Sequence, residues 1–180
     1  MRLEMFRGHR LAAFAFALAA AAAARAEVVD VGENGFLVRE TVTVDADATK
    51  AWSALVDVGK WWDPAHTWSN DSANLSLDPK PGGCWCEKLP GGGVEHMRVV
   101  FSDAGRILRL SGGLGPLQGL AVSGTMTWTL KPAPKGTIVE MTYSAGGYNR
   151  GGFREIAPGV EKVLAEQIGR FQRYAGTGKP

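Results

Sequence analysis

The residues best suited to chemistry are crowded into one short stretch. Cys84-Trp85-Cys86 is followed directly by Glu87, and beyond a glycine-rich turn come Glu95, His96 and Arg98, with Arg109 further on. On an extended strand the two thiols point to one face, with Cα atoms about 6.6 Å apart. That is close to the upper limit for a bridge, so a disulfide would have to draw the strand into a bulge. Packed thiols, a strained disulfide and a share in a metal site are three readings of the pair, and export, argued below, favours oxidation. A metal would need three or four ligands. The others on offer are His96, His66 and Glu87, at no recognisable spacing, so no metal is expected. The alternation Met97, Val99, Phe101 marks an apolar strand face, which sends His96 and Arg98 outward to solvent. A bulge that reversed the register would make them the natural acid/base and carboxylate-binding groups. No nucleophile elbow, HExxH helix or P-loop is present. Gly113-x-Gly115-x-x-x-Gly119 fails the dinucleotide spacing, so no cofactor is implied and no catalytic residue is assigned.

Binding residues are easier to nominate. Four of the six tryptophans fall between Trp61 and Trp85. Trp61, Trp62 and Trp68 lie in an irregular segment where packing demands little of them, and Trp85 lies between the cysteines. Aromatic side chains serve both cores and ligand sites. Met97, Met126 and Met141 occupy inferred inward strand faces, where the adaptable thioether suits the wall of an irregular cavity or the filling of a core gap. Trp128 and Tyr143 share those faces. From the last helix Leu164, Gln167 and Phe171 point the same way, Gln167 being the one polar residue in an apolar stripe. It is read either as a core amide bonded to backbone or as a ligand contact. Tyr148, in the glycine-rich segment 146–152, would sit on a flexible lid.

These candidates require particular elements to hold them. Ile156, Val160, Val163, Leu164, Ile168, Phe171 and Tyr174 form one stripe at 100° per residue, and Glu161, Lys162, Glu166, Arg170 and Arg173 lie opposite. Pro158 suits the first turn of that helix, and Gly176 comes shortly after its expected end at Tyr174. Such a stripe needs a concave partner. The residues before it supply one. Phe36 to Val44 reads as a strand, with Glu40 on its apolar face as a strand-edge carboxylate. Asp45 or Asp47 can cap a helix running to about Val56. From Leu75 onward short strands alternate with glycine turns, most clearly at Met126, Trp128 and Leu130 against Thr125, Thr127 and Thr129. Strand, two short helices, a meander and one long helix make an α+β helix-grip arrangement: a curled antiparallel sheet of about seven strands around the C-terminal helix.

The N-terminus reads differently. Arg2, Arg7 and Arg10 precede the apolar run Leu11–Ala24, and Ala24-Arg25-Ala26 is a cleavage signature before Glu27. The run is shorter than the ~20 residues that span a bilayer. Residues 1–26 are therefore expected to be a cleaved signal peptide, 27–35 a frayed lead-in, 36–175 a single domain and 176–180 a tail. The protein is expected in the periplasm or secreted, without a stable membrane anchor. Of its 20 basic and 18 acidic side chains, four arginines and one glutamate lie in residues 1–26. The remainder, 16 basic and 17 acidic, forms no basic cluster suited to nucleic acid.

Over residues 36–175 the chain resembles the START-like SRPBCC superfamily, which holds polyketide cyclases, Bet v 1-like carriers and chaperone-ATPase-activator homologues. The residues that carry the resemblance are Val42-Thr-Val-Asp-Ala46 with Ala51-Trp52-Ser-Ala-Leu55, Lys60-Trp61-Trp62, Pro81-Gly82-Gly83, Arg98-Val-Val-Phe101, Gly136-Thr137 and the terminal helix. It implies a deep, mostly apolar cavity between sheet and last helix, and no universal catalytic motif. The expected function is binding of a small hydrophobic or aromatic molecule. A cyclase- or lyase-like enzyme using the same cavity and a protein-interaction module are the alternatives.

Overall fold

The computed structural model describes residues 25–180; the expected signal segment up to residue 24 lies outside the described residues. Eight strands form one antiparallel sheet in the order β1-β2-β8-β7-β6-β5-β4-β3, curled but not closed. They are β1 (Arg25–Val31), β2 (Gly35–Val44), β3 (Leu75–Leu77), β4 (Cys84–Leu89), β5 (Gly92–Asp103), β6 (Ile107–Ser111), β7 (Ala121–Ala133) and β8 (Gly136–Tyr148). Among the described residues two α-helices, α1 (Ala48–Val56) and α2 (Ala157–Thr177), accompany the sheet, with short 3-10 turns between elements. The helix-grip expectation holds, with one strand more than the sequence suggested. The lead-in is itself sheet: Glu27 pairs with Arg39 and Val31 with Phe36.

Local chemistry explains the element ends. The Asp47 side chain accepts a hydrogen bond from the Lys50 amide at 2.8 Å, which caps α1. Pro158 sits in the first turn of α2. The helix runs on past Gly176 to Thr177 and stops at Gly178, whose φ of 81° is left-handed. Alternation predicted the sheet faces well: Met126, Trp128 and Leu130 are buried, as are Val139, Met141 and Tyr143.

Three expectations need correction. Glu40 is not a strand-edge carboxylate. It lies mid-sheet on the buried face of β2, between Val38 and Val42, and is only 1% exposed. Phe101 does not continue the Met97/Val99 face. The pairing of β5 with β6 slips between Val99 and Phe101, and the ring is turned out beneath the Arg109 guanidinium, 5.6 Å away. The segment read as a lid is sheet as far as Tyr148, with Gly146 paired to Gly35 and Gly147 to Val122.

Candidate functional site

The core and the cavity divide the apolar residues between them. Trp61, Trp128 and Phe171 pack edge-on with ring centroids 5.5–6.1 Å apart, closing one end of the space between sheet and α2. The Trp61 indole donates to the Ala54 carbonyl at 2.9 Å. Gln167 accepts from the Asp63 amide at 2.8 Å, and Arg170 donates to the Trp61 carbonyl and lies 3.4 Å from the Asp63 carboxylate. These contacts hold the irregular 61–68 segment on α2, so it stands as a wall over the sheet.

Behind that wall is a cavity of about 480 Å³, within the range of sites for small molecules. Ile156, Gly159, Val160, Val163 and Leu164 form one side. Trp62, His66 and Trp68 form another, and Leu114, Leu117 and Leu120 a third. Trp68, 54% exposed, and Leu120 mark the rim. The leucine-bearing turn is hung from the sheet by Tyr143, whose hydroxyl accepts from the Leu114 amide at 3.1 Å and donates to the Gly112 carbonyl at 3.3 Å.

Of the residues nominated from sequence, Trp62, Trp68, Trp85 and Leu164 line this cavity. Trp61, Met97, Met126, Trp128, Met141, Tyr143 and Phe171 are buried in the core, Gln167 is held by the Asp63 amide, and Tyr148 is 73% exposed. None of these nine contributes to the cavity wall.

His96 does, against expectation. Trp85 pairs with Met97 and Cys86 with Glu95, so His96 is the extra residue of a β-bulge, and both His96 and Met97 turn inward while Arg98 stays outside. Opposite the bulge, Cys84 and Cys86 are joined as a disulfide with Cα atoms 5.3 Å apart. Shortening β4 and lengthening β5 bend the pair in the same sense, so bridge and bulge reinforce one another. Gly112 is required alongside. Its φ is 155°, and a Cβ there would stand 2.8 Å from the His96 carbonyl oxygen.

The inward imidazole meets a carboxylate. His96 Nε2 is 2.9 Å from Glu87 Oε2, and the two side chains are almost wholly buried. Glu87 also accepts from the Trp68 amide at 3.1 Å and the Ser69 amide at 2.5 Å. Burial pushes the Glu87 carboxyl up, but the hydrogen bonds from Ser69, Trp68 and His96 outweigh it and hold the group below the usual carboxylate range. Burial lowers His96 despite the opposing pull of Glu87, which favours the neutral ring. An ionised Glu87 can only accept, so Nε2 carries the proton and Nδ1 the lone pair. Nδ1 has no partner, and neither does the Trp85 indole N–H in the same wall. A buried polar atom left unpaired costs about 1–3 kcal/mol, so both atoms would gain from a hydrogen-bonding partner.

No group of three or more His, Cys, Asp or Glu that could hold a metal occurs among the described residues, and no helix among them is long and apolar enough to cross a membrane. Sequence reasoning missed Leu114, Leu117, Leu120, His66 and the inward His96. The signal available for His96 was the Cys-x-Cys spacing opposite it, which allowed a bulge without requiring one.

A fold of this shape, gripping one long helix over an apolar cavity, defines a class of protein. The chain belongs to the family described as polyketide cyclase / dehydrase and lipid transport, which matches residues 36–176. No curated protein matches it. Among solved structures, a conserved protein of unknown function from Enterococcus faecalis aligns with a TM-score of 0.60 at 15% identity, over 87% of this chain and 79% of that one. The Aha1 dimer from Colwellia psychrerythraea aligns with a TM-score of 0.57 at 17% identity, over 80% and 98%. DynU16, from the dynemicin biosynthetic locus, aligns with a TM-score of 0.56 at 21% identity, over 80% of this chain and 48% of its own length. At these identities the likeness is one of fold.

Proposed function

We propose that the chain binds a small, mainly apolar molecule in the cavity between α2, the 62–68 segment and the Leu114–Leu120 turn. One observation carries this reading: a space of about 480 Å³ lies against almost wholly apolar side chains next to the buried apolar core. A concavity of this size lined by apolar side chains leaves apolar surface against water, which a bound apolar molecule would cover. The family, whose description includes lipid transport, supports the same reading.

The place of action is proposed as outside the cytoplasm. The charged and apolar pattern of residues 2–26 supports it, and so does the Cys84–Cys86 bridge, since disulfides persist in oxidising compartments. Cleavage after Ala26 leaves Glu27–Val31 to pair with β2.

The binding reading is tested with N-phenyl-1-naphthylamine, a neutral dye that brightens in apolar surroundings, and with 2-tetralone as its competitor. Saturable binding of one dye per chain, displaced by 2-tetralone, is expected. Val160→Trp, which fills the cavity from the helix side, should weaken both at least about tenfold, comparable with losing one well-buried side-chain contact. Absence of saturable binding, or unchanged binding in Val160→Trp, would overturn the proposal.

A further inference from the structure

We propose that Glu87 and His96 form an acid/base pair that moves a proton on an apolar ketone held in the cavity. The inference rests on the binding reading above and goes beyond it. Two unpartnered atoms of opposite kind sit in one wall: the His96 Nδ1 lone pair and the Trp85 indole N–H, on rings whose centroids are 5.9 Å apart. A ketone with acidic α-hydrogens satisfies both. Its carbonyl oxygen accepts from Trp85, and an adjacent C–H bond lies against Nδ1.

The step balances without a further reagent. Nδ1 takes the α-proton, the C–H electron pair becomes the new carbon–carbon π bond, and the carbonyl π pair moves onto oxygen, where the Trp85 N–H meets it. The resulting imidazolium is held by the Glu87 carboxylate through Nε2. Return of the proton to the same carbon regenerates the ketone, and proton exchange with solvent at Nδ1 before return leaves solvent hydrogen at that carbon. Nδ1 and the Trp85 indole nitrogen are both covered, so contact requires a shift of the two rings or of a neighbouring side chain as the ketone enters.

A simple hydroxyl-binding site would not need this construction. A backbone carbonyl accepts a hydroxyl equally well, whereas a buried carboxylate held by two amides is suited to stabilising a cation that forms transiently on the ring. The other imidazole–carboxylate pair, His66 with Glu166 at 3.5 Å, is at the rim with both side chains about a third or more exposed, so water competes there. The charged or titratable groups facing His96 are few. β4 brings Glu87 and the 62–68 segment brings His66. α2 and the Leu114–Leu120 turn bring only uncharged residues to the cavity.

The test follows α-hydrogen/deuterium exchange of 2-tetralone in D₂O by proton NMR, alongside displacement of N-phenyl-1-naphthylamine. The full chain is expected to accelerate exchange about 10²–10⁴-fold over free imidazole, the usual contribution of a positioned base. The rate should rise with pH through a single ionisation below the ordinary histidine value and then level off, as burial of His96 requires. His96→Gln should keep binding and lose exchange to background. Glu87, a positioning residue acting through His96, should on change to Gln move that ionisation to still lower pH and slow exchange, with KM little altered. Glu87→Asp should restore part of the rate. If His96→Gln fails to fold, the pH profile of the unaltered chain decides by itself: a profile without that ionisation overturns the proposal. Saturable 2-tetralone binding with exchange at the background rate overturns proton transfer and leaves the binding reading standing. Failure of both 2-tetralone and the dye to bind overturns both.

Discussion

Glu40 and Glu87 are carboxylates buried to nearly the same degree on the inner face of one sheet, yet they are held in opposite states. Glu87, 2% exposed, sits where β4 passes under the irregular 68–69 backbone and next to a bulge. Both irregularities offer polar groups that strand pairing does not use, two amides and an imidazole, and all three turn to the carboxylate. Glu40 sits in the middle of β2, with partners on both sides in β1 and β8. There the neighbouring amides are committed to strand pairing, and Glu40 Oε1 has no partner. Burial, then the charges of Glu161 and Glu27, push its carboxyl up to about 8. Regular sheet thus has nothing to offer a buried charge, and irregular backbone does. The polar part of the cavity lies where regularity fails.

The comparison can be broken at either carboxylate. Glu87→Leu should have the largest effect, a loss of about 3–5 kcal/mol of stability in urea denaturation at neutral pH, because two amides and the His96 N–H are left without an acceptor. A loss below about 1 kcal/mol would mean that the amides find other partners.

Glu40→Gln should act in the other direction and only at higher pH. The folded value of about 8 lies above the ordinary 4.5, so the folded chain keeps a proton that the unfolded chain releases. That contribution is complete below about 4.5 and is lost as pH rises toward about 8. Gln removes the titration, so the variant should gain on the parent as pH rises above 4.5, reaching roughly 3–5 kcal/mol above about pH 8, and be indistinguishable from it below 4.5. Paired denaturation curves across that range check it; equal stability throughout would show that Glu40 is not a buried acid.

The smallest effect is expected at the bridge. Joint Cys84→Ser and Cys86→Ser substitution, or reduction, should lower stability by about 1–2 kcal/mol for so short a loop. It should also loosen the bulge that turns His96 inward, seen as a shift of the His96 ring protons in NMR. Unmoved ring resonances would show that the bulge stands without the bridge.

Much of the architecture was legible from local periodicity. The stripe Val160, Val163, Leu164, Ile168 and Phe171 marks α2, and the alternation at Met126, Trp128 and Leu130 marks a strand. Both follow from geometry that repeats every few residues and needs no partner to be read. The same logic placed His96 outside, because alternation has no means of counting an extra residue.

What only the tertiary structure decided is how the elements meet. Phe171 fills the core while Val160 and Leu164, two to three turns earlier on the same stripe, line the cavity, because the aromatic cluster with Trp61 and Trp128 closes only one end. Of the two readings open to Gln167 from sequence, backbone-bonded core amide or ligand contact, the structure shows the first, a bond from the Asp63 amide. The polar side chain that the structure brings to the cavity from the sheet is His96, set by the pairing register between β4 and β5 and held through Glu87 by amides 18 and 19 residues away in sequence. Pairing register and loop placement are chosen by the free energy of the whole assembled sheet, so no window of sequence contains them.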